Sequence, residues 1–410
     1  MTDLSRTGES RTGSGRTAPG AGLSRTAGDG GRTAPLDLLQ VRRCLEPPGM
    51  MLPAAAYLSD DVLDFERRVL FGAGWVCAGR SADLGPRARR AVAVGDDSVL
   101  LARDENGTLR AFYNVCRHRG HELMPCGSGA TGRFIACPYH NWVYDLSGRL
   151  DRVPREHGDA YRPDRLGLVP ARAEEWHGFI FVNTSGDADP LESHLAGIEE
   201  IIAPYEMERL TVAASHEYDL AANWKLAVEN YHECYHCPAI HPELCRVSPP
   251  DSGDNHRPEG LWAGGSMTLA DGAETMSMSG ASGGAFLRGV TGPLLRKVEY
   301  LHLFPNLLLS LHPDYVMTHL LDPVGAGRTK VTCQWLFPPE AEGADPSYAV
   351  DFWDLTNRQD WGACEGVQRG VASRGYVPGP FAPDEEVTHQ WIASVATAYL
   401  TGRLSPAERK

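Results

Sequence analysis

Asn223-Trp224-Lys225-Leu226-Ala227-Val228-Glu229-Asn230-Tyr231-His232-Glu233-Cys234-Tyr235-His236-Cys237-Pro238-Ala239-Ile240-His241 carries an unusual load of ionisable side chains. Leu226 to Tyr235 contains no proline or glycine, so the spacing predicts a helix. At about 100° per residue, Glu229, Glu233 and His236 would share one face. Carboxylates and an imidazole facing one way are costly to bury without partners or a metal. His236 and His241 are five apart and cannot share a face of one regular helix. Pro238 removes a backbone donor and crowds the preceding turn, which loosens the chain and lets both imidazoles converge on one ion. A structural zinc site, or a polar helix face with two incidental histidines, would satisfy the same stretch.

Outside this stretch, size and composition set the bounds. The chain has 410 residues, enough for two domains with their own cores. Hydrophobic residues make up 42% and charged residues 22%, as in ordinary soluble proteins. A net charge of −14 argues against nucleic-acid or anionic-membrane binding. No run of 18 apolar residues predicts a membrane span, and the N-terminus lacks the apolar core of a signal peptide. Without an export signal, the ten cysteines are expected to be ligands or reduced core thiols, and the compartment to be cytoplasmic.

In chain order, residues 1–35 repeat Leu-Ser-Arg-Thr and Gly-Arg-Thr-Ala-Pro with almost nothing apolar, which predicts a disordered tail. Residues 36–74 form an N-terminal segment, with a short amphipathic helix at Asp60–Phe71. An all-β domain follows over 75–186. Ala91–Ala102 and Leu109–Val115 are predicted strands around the hairpin signal Asp104-Glu105-Asn106-Gly107. Shorter strands are predicted at Arg133–Ala136, Trp142–Asp145 and Phe179–Asn183. A second domain spans 187–410. Its residues 249–294 read as long loops of the kind that make lids. Tyr300–Leu311, Tyr315–Leu321 and Thr329–Leu336 read as antiparallel strands, the last pair turned by Val324-Gly325-Ala326-Gly327.

Two loops of the first domain carry Cys116-Arg117-His118 and Cys137-Pro138-Tyr139-His140. Two thiolates on one iron and two imidazoles on the other would hold a [2Fe–2S] cluster of the Rieske kind. The ligand set alone also permits a Cys₂His₂ zinc site. In the second domain, Phe352–Val371 contains no proline, and Trp353, Asn357, Asp360, Cys364, Val367 and Val371 recur at helical spacing. Asp360 therefore falls in a mostly apolar stripe, where a bound cation, or a cap or ion pair, would account for a carboxylate. Asp354 and Glu365 point away and are expected to be solvated.

Together these motifs resemble the α-subunit of Rieske non-haem iron oxygenases, in order and over about residues 50–400. The flanks Cys116-Arg117-His118-Arg119-Gly120 and Cys137-Pro138-Tyr139-His140-Asn141-Trp142-Val143-Tyr144, with Gly148 beyond, carry the first half of that resemblance. Asn223-Trp224-Lys225, Glu-x-x-His-x-x-x-x-His and Asp360 carry the second. It implies an α+β chain: an all-β Rieske domain, then a catalytic domain with a curved antiparallel sheet around a long helix. It implies a [2Fe–2S] cluster on Cys116, His118, Cys137 and His140, and mononuclear Fe(II) on His236, His241 and Asp360 with positions open for oxygen and substrate. It also implies a homotrimer in which Glu233 links His236 to a cluster histidine of the neighbouring subunit.

Ring-hydroxylating members usually carry Asp at that bridge, whereas Glu233-Cys234-Tyr235-His236-Cys237-Pro238 is similar to glycine betaine and proline betaine demethylases. So are Leu303-Phe304-Pro305-Asn306 with Leu311-His312-Pro313, and Cys364-Glu365-x-x-Gln368-Arg369-Gly370. The implied activity is oxidative N-demethylation of a betaine-like substrate, in an aromatic cage drawn from Trp262, Tyr300, Trp335, Trp353 and Trp391. Hydroxylation of an aromatic or natural-product substrate is the rival within the class; a Rieske electron carrier or a zinc protein lies outside it. No Gly-rich dinucleotide fingerprint is present, so NAD(P)H would act only through a ferredoxin or flavin reductase. Arg87, Arg89, Arg90, Arg117 and Arg119 offer that partner a basic patch.

Overall fold

The structure is a computed structural model and describes residues 33–155 and 163–405. The predicted disordered tail lies almost wholly outside them. The described residues belong to one compact unit.

After the helices of the N-terminal segment, the described chain between Val76 and Asn183 is mostly β. Seven strands run β1 (Val76–Arg80), β10 (Phe179–Asn183), β9 (Pro170–Trp176), β4 (Leu109–Tyr113), β3 (Asp97–Arg103), β2 (Ala88–Val94) and β5 (Gly129–Thr131), in that spatial order. β6 (Phe134–Ala136), β7 (Val143–Asp145) and β8 (Leu150–Arg152) make a separate three-stranded sheet. The Asp104–Gly107 turn joins β3 to β4 as the sequence indicates, with Asp104 accepting from the Asn106 and Thr108 amides. The stretch Ala91–Ala102, read as one strand, is two. It folds back at Gly95, whose φ is +60° and where a Cβ would sit 2.5 Å from the Arg67 carbonyl. Only glycine allows that approach.

The second half is one antiparallel sheet in the order β11 (Thr211–Leu220), β17 (Arg328–Phe337), β16 (Val316–Gly325), β15 (Leu307–Leu311), β14 (Lys297–Leu303), β13 (Trp262–Thr268) and β12 (Asp254–Asn255). It curls around the helix Ser347–Val371, giving the curved-sheet architecture that the sequence implied. Tyr300–Leu311, expected as one strand, breaks at Phe304-Pro305-Asn306, where Asn306 leaves the ladder to bond both backbone groups of Cys77 in β1. The predicted loop region 249–294 includes strands β12 and β13. Asp314 accepts from Thr275, Ser282 and Tyr348 and pins 275–282 to the sheet.

The helix Trp224–Tyr231 starts where Asn223 caps it, with the Asn223 side chain accepting from the Lys225 amide. Asn223 also donates to the carbonyls of Tyr57 and Ala326. Lys225 is fully buried and meets Glu66 at 2.7 Å. Glu66 accepts in addition from Trp224 and from Tyr399, so helices Asp60–Glu66, Trp224–Tyr231 and Glu386–Thr401 meet on one carboxylate. Removing one member of a buried, hydrogen-bonded pair strands the other, at a cost of about 3–5 kcal/mol. Lys225→Met is therefore expected to lower the free energy of unfolding by that amount, read as a lower midpoint in urea at unchanged m-value. The double variant with Glu66→Leu should recover part of it; equal losses in both would show that the charge pairing is not what matters.

Candidate active site

The helix predicted through Tyr235 stops at Tyr231. Glu229 therefore does not share a face with Glu233 and His236. It lies in the core, accepting at 2.9 Å from Tyr57, and burial pushes its carboxyl up to about 8. Beyond Tyr231 the chain turns tightly. Cys234 and Cys237 are joined as a disulfide with Cα atoms 4.9 Å apart, so these two are not the reduced thiols expected from composition. The turn delivers His236 and His241 to the same place, their ring centroids 5.1 Å apart.

Asp360 comes to meet them from the middle of the long helix. Its Oδ1 lies 2.8 Å from His241 Nε2 and 3.4 Å from His236 Nε2, and donor atoms of the three residues lie within 4.8 Å of one another. Two imidazole nitrogens and one carboxylate oxygen at this spacing could hold one divalent ion with coordination positions left over. Burial alone would lower His236, but Asp360 and Glu233 outweigh it and raise the imidazole to about 9. Burial likewise opposes the Asp360 charge, yet the two histidines hold its carboxyl below the usual range. Glu233 takes the outer side of His236, accepting from Nδ1 at 2.5 Å and from the backbone amide at 3.1 Å. His241 turns its Nδ1 to Gln359 Oε1, 2.7 Å away. Gln359 had no sequence signal, since it stands beside the apolar stripe.

The helix stripe is correct at Trp353, Asn357, Asp360 and Cys364, whereas Val367 faces out at 40% exposure. Asp354 and Glu365 are not simply solvated. Asp354 accepts from Tyr218 and Arg358, and Glu365 from the Ala221 amide.

A cavity of about 560 Å³ opens beside the triad. Trp353, Thr356, Asn357, Asp360 and Trp361 line it at helical spacing. Tyr300, Leu308, Met317 and His319 line it from the sheet, where Tyr300 and Met317 both pair with Ser310, and Leu308 pairs with His319. Of the five proposed cage residues only Tyr300 and Trp353 reach the cavity; Trp262, Trp335 and Trp391 are core. Tyr231 and Trp361 do reach it. Tyr231 lies within the motif itself, and Trp361 follows the carboxylate directly.

At the other site, Cys116 and Cys137 are buried, unpaired thiols, and His118 and His140 have ring centroids 4.6 Å apart. Among the described residues only the His236–His241–Asp360 group brings three donors within 4.8 Å, so the Cys/His four do not converge on one ion. Four tetrahedral zinc ligands would lie closer than that. A two-iron cluster, with a pair of ligands at each end, fits the wider spread and also the buried His118 Nδ1 that has no partner. Gly148, at φ +82°, lets the following turn pass the Phe112 ring, which a Cβ would meet at 2.3 Å. In the arginine cluster, Arg87 binds Glu105, Arg117 donates to the Gly167 carbonyl, and exposed Arg119 lies over Tyr139.

Comparison with known proteins shows the family of the chain. The profile of the Rieske [2Fe-2S] domain matches residues 74–166, and that of the ring hydroxylating alpha subunit (catalytic domain) matches 207–401. The glycine betaine monooxygenase oxygenase subunit of Pseudomonas aeruginosa (strain UCBPP-PA14) is 31% identical over 388 residues, 87% of this chain and 89% of the relative. The carnitine monooxygenase oxygenase subunit of Escherichia coli (strain K12) is 31% identical over 335 residues, covering 79% and 85%. The crystal structure of a quaternary ammonium Rieske monooxygenase with L-carnitine superposes with a TM-score of 0.74 at 25% identity, covering 89% of this chain and all of that one. The chain is thus a Rieske non-haem iron oxygenase, with a Rieske [2Fe–2S] domain followed by a catalytic domain.

Proposed function

We propose that the enzyme oxidatively N-demethylates a betaine-like quaternary ammonium compound. One observation carries the reading: the cavity is walled by Tyr231, Tyr300, Trp353 and Trp361, and no lysine or arginine stands among its described lining residues. A quaternary ammonium has no N–H to donate and is held by ring faces, while a cation in the wall would repel it. The relatives' names, glycine betaine and carnitine monooxygenase, support the same class.

In this reading Cys116, His118, Cys137 and His140 hold the cluster, and His236, His241 and Asp360 hold Fe(II). The bound iron supplies O₂ activation and the cluster supplies electrons. One oxygen atom enters an N–CH₃ group, and the other leaves as water with two electrons and two protons. The N-hydroxymethyl product then breaks its C–N bond to give formaldehyde, the tertiary amine and a proton. The aromatic walls orient the methyl group, and Asp251 and Asp384 at the exposed rim favour entry of a cation.

Glu233 is assigned as the bridge to His118 or His140 of a neighbouring subunit in a homotrimer. Each of its oxygens keeps a lone pair for a second donor. Electrons come from NAD(P)H through a ferredoxin or flavin reductase docking near Arg117 and Arg119, in the cytoplasm. The division into 36–74, 75–186 and 187–410 belongs to the same proposal. A second reading, hydroxylation of an aromatic or natural-product substrate, is favoured by the cavity's size, which suits a drug-sized ligand.

With a reductase, NADH and a panel of betaines, formaldehyde is expected in step with substrate loss; hydroxylated product without formaldehyde would select the second reading. Asp360→Ala is expected to abolish turnover and leave the visible spectrum of the cluster intact, and retained turnover would refute its role as a ligand. Glu233→Gln should keep both metal centres yet slow reoxidation of the pre-reduced cluster in a single turnover. An unchanged rate ends the bridging assignment.

A further inference from the structure

The two imidazoles of the triad lean on unlike partners. His236 Nδ1 meets a carboxylate, Glu233, at 2.5 Å, whereas His241 Nδ1 meets the side-chain amide of Gln359 at 2.7 Å. An amide oxygen only accepts, so Nδ1 of His241 must carry the proton and Nε2 is left facing Asp360 at 2.8 Å. Gln359 and Asp360 are consecutive on the long helix, their side chains about 100° apart, and they take opposite nitrogens of the same ring. The His241 ring that both contact is itself only 1% exposed.

We infer that Gln359 is the positioning residue of the mononuclear site. It fixes the His241 tautomer that presents Nε2 to the metal, and it does so without adding charge. The inference rests on the reading of His236, His241 and Asp360 as iron ligands. Its second part follows from charge. Fe(II) would already have the carboxylates of Asp360 and Glu233 close by, and a further carboxylate behind His241 would add a third negative charge to the site. Such a charge favours the ferric over the ferrous ion. Glutamine supplies the oxygen without that bias.

The test is Fe(II) titration of the purified, cluster-containing protein. Gln359→Met keeps side-chain volume but removes the acceptor. It should weaken Fe(II) binding about 10- to 100-fold, the usual effect of losing an outer partner of a ligand histidine, with the cluster spectrum unchanged. Gln359→Glu returns an oxygen to the same position and should restore the affinity while lowering the Fe(III)/Fe(II) midpoint potential, read by redox titration with EPR of the ferric ion. Wild-type affinity in the Met variant, or a Glu variant that binds no better than Met or keeps the wild-type potential, overturns the proposal. Asp360→Ala is titrated alongside. If it too binds Fe(II) like the parent protein, the assignment of the iron site has failed and the role of Gln359 falls with it; if Asp360→Ala loses Fe(II) while Gln359→Met keeps it, only the role of Gln359 has failed.

Discussion

The Glu66–Lys225 pair is the constraint on which the catalytic half depends. An ammonium with no exposure would shed its proton in an apolar core, and burial does lower Lys225, but the Glu66 carboxylate opposes this. In net terms such a pair adds little stability; its use is to allow only one arrangement. Two helices far from Glu66 in sequence can satisfy it together in just one register, because Trp224, Lys225 and Tyr399 must all point at the same two oxygens. The start of the Trp224–Tyr231 helix is thereby fixed, and the turn carrying His236 and His241 departs from a rigid base.

From that base the site is built by two surfaces with different periods. The sheet offers every second residue along β14, β15 and β16, and the helix offers positions three and four apart. Where they face each other they leave a cavity, not a packed core, with Tyr300, Leu308, Met317 and His319 on the sheet side. The Rieske half needs no such gap. Its two loops project from strands that are themselves filled by Ile135, Trp142 and Tyr144.

Much of this was legible in the sequence, because the decisive residues are chemically expensive. Cysteines and histidines paired across two loops, and an aspartate in an apolar helix stripe, stand out without a partner in view. What was hidden depended on contacts made at a distance. Nothing local ends the helix at Tyr231; its hydroxyl donates to the Leu309 carbonyl and the disulfide closes the next turn, so tertiary ties override a fair helical propensity. Glu229 looked like a site carboxylate, because a helical wheel cannot show that Tyr57 waits on the other side. Tryptophan content could not separate cage from core either. Trp262, Trp335 and Trp391 have the same composition signal as Trp353, and only the curl of the sheet decides which of them meets empty space.

Asp360 shares its helix with Trp353, Thr356, Asn357 and Trp361, so metal geometry and one wall of the substrate chamber move as one piece. A substitution there that reshapes the chamber also tilts a ligand. Changes on Tyr300, Leu308 or Met317 alter the chamber from strands that carry no ligand. The scaffold is therefore unevenly evolvable: new substrate ranges are open to drift or selection from the sheet side, while the helix side is held by the chemistry it serves.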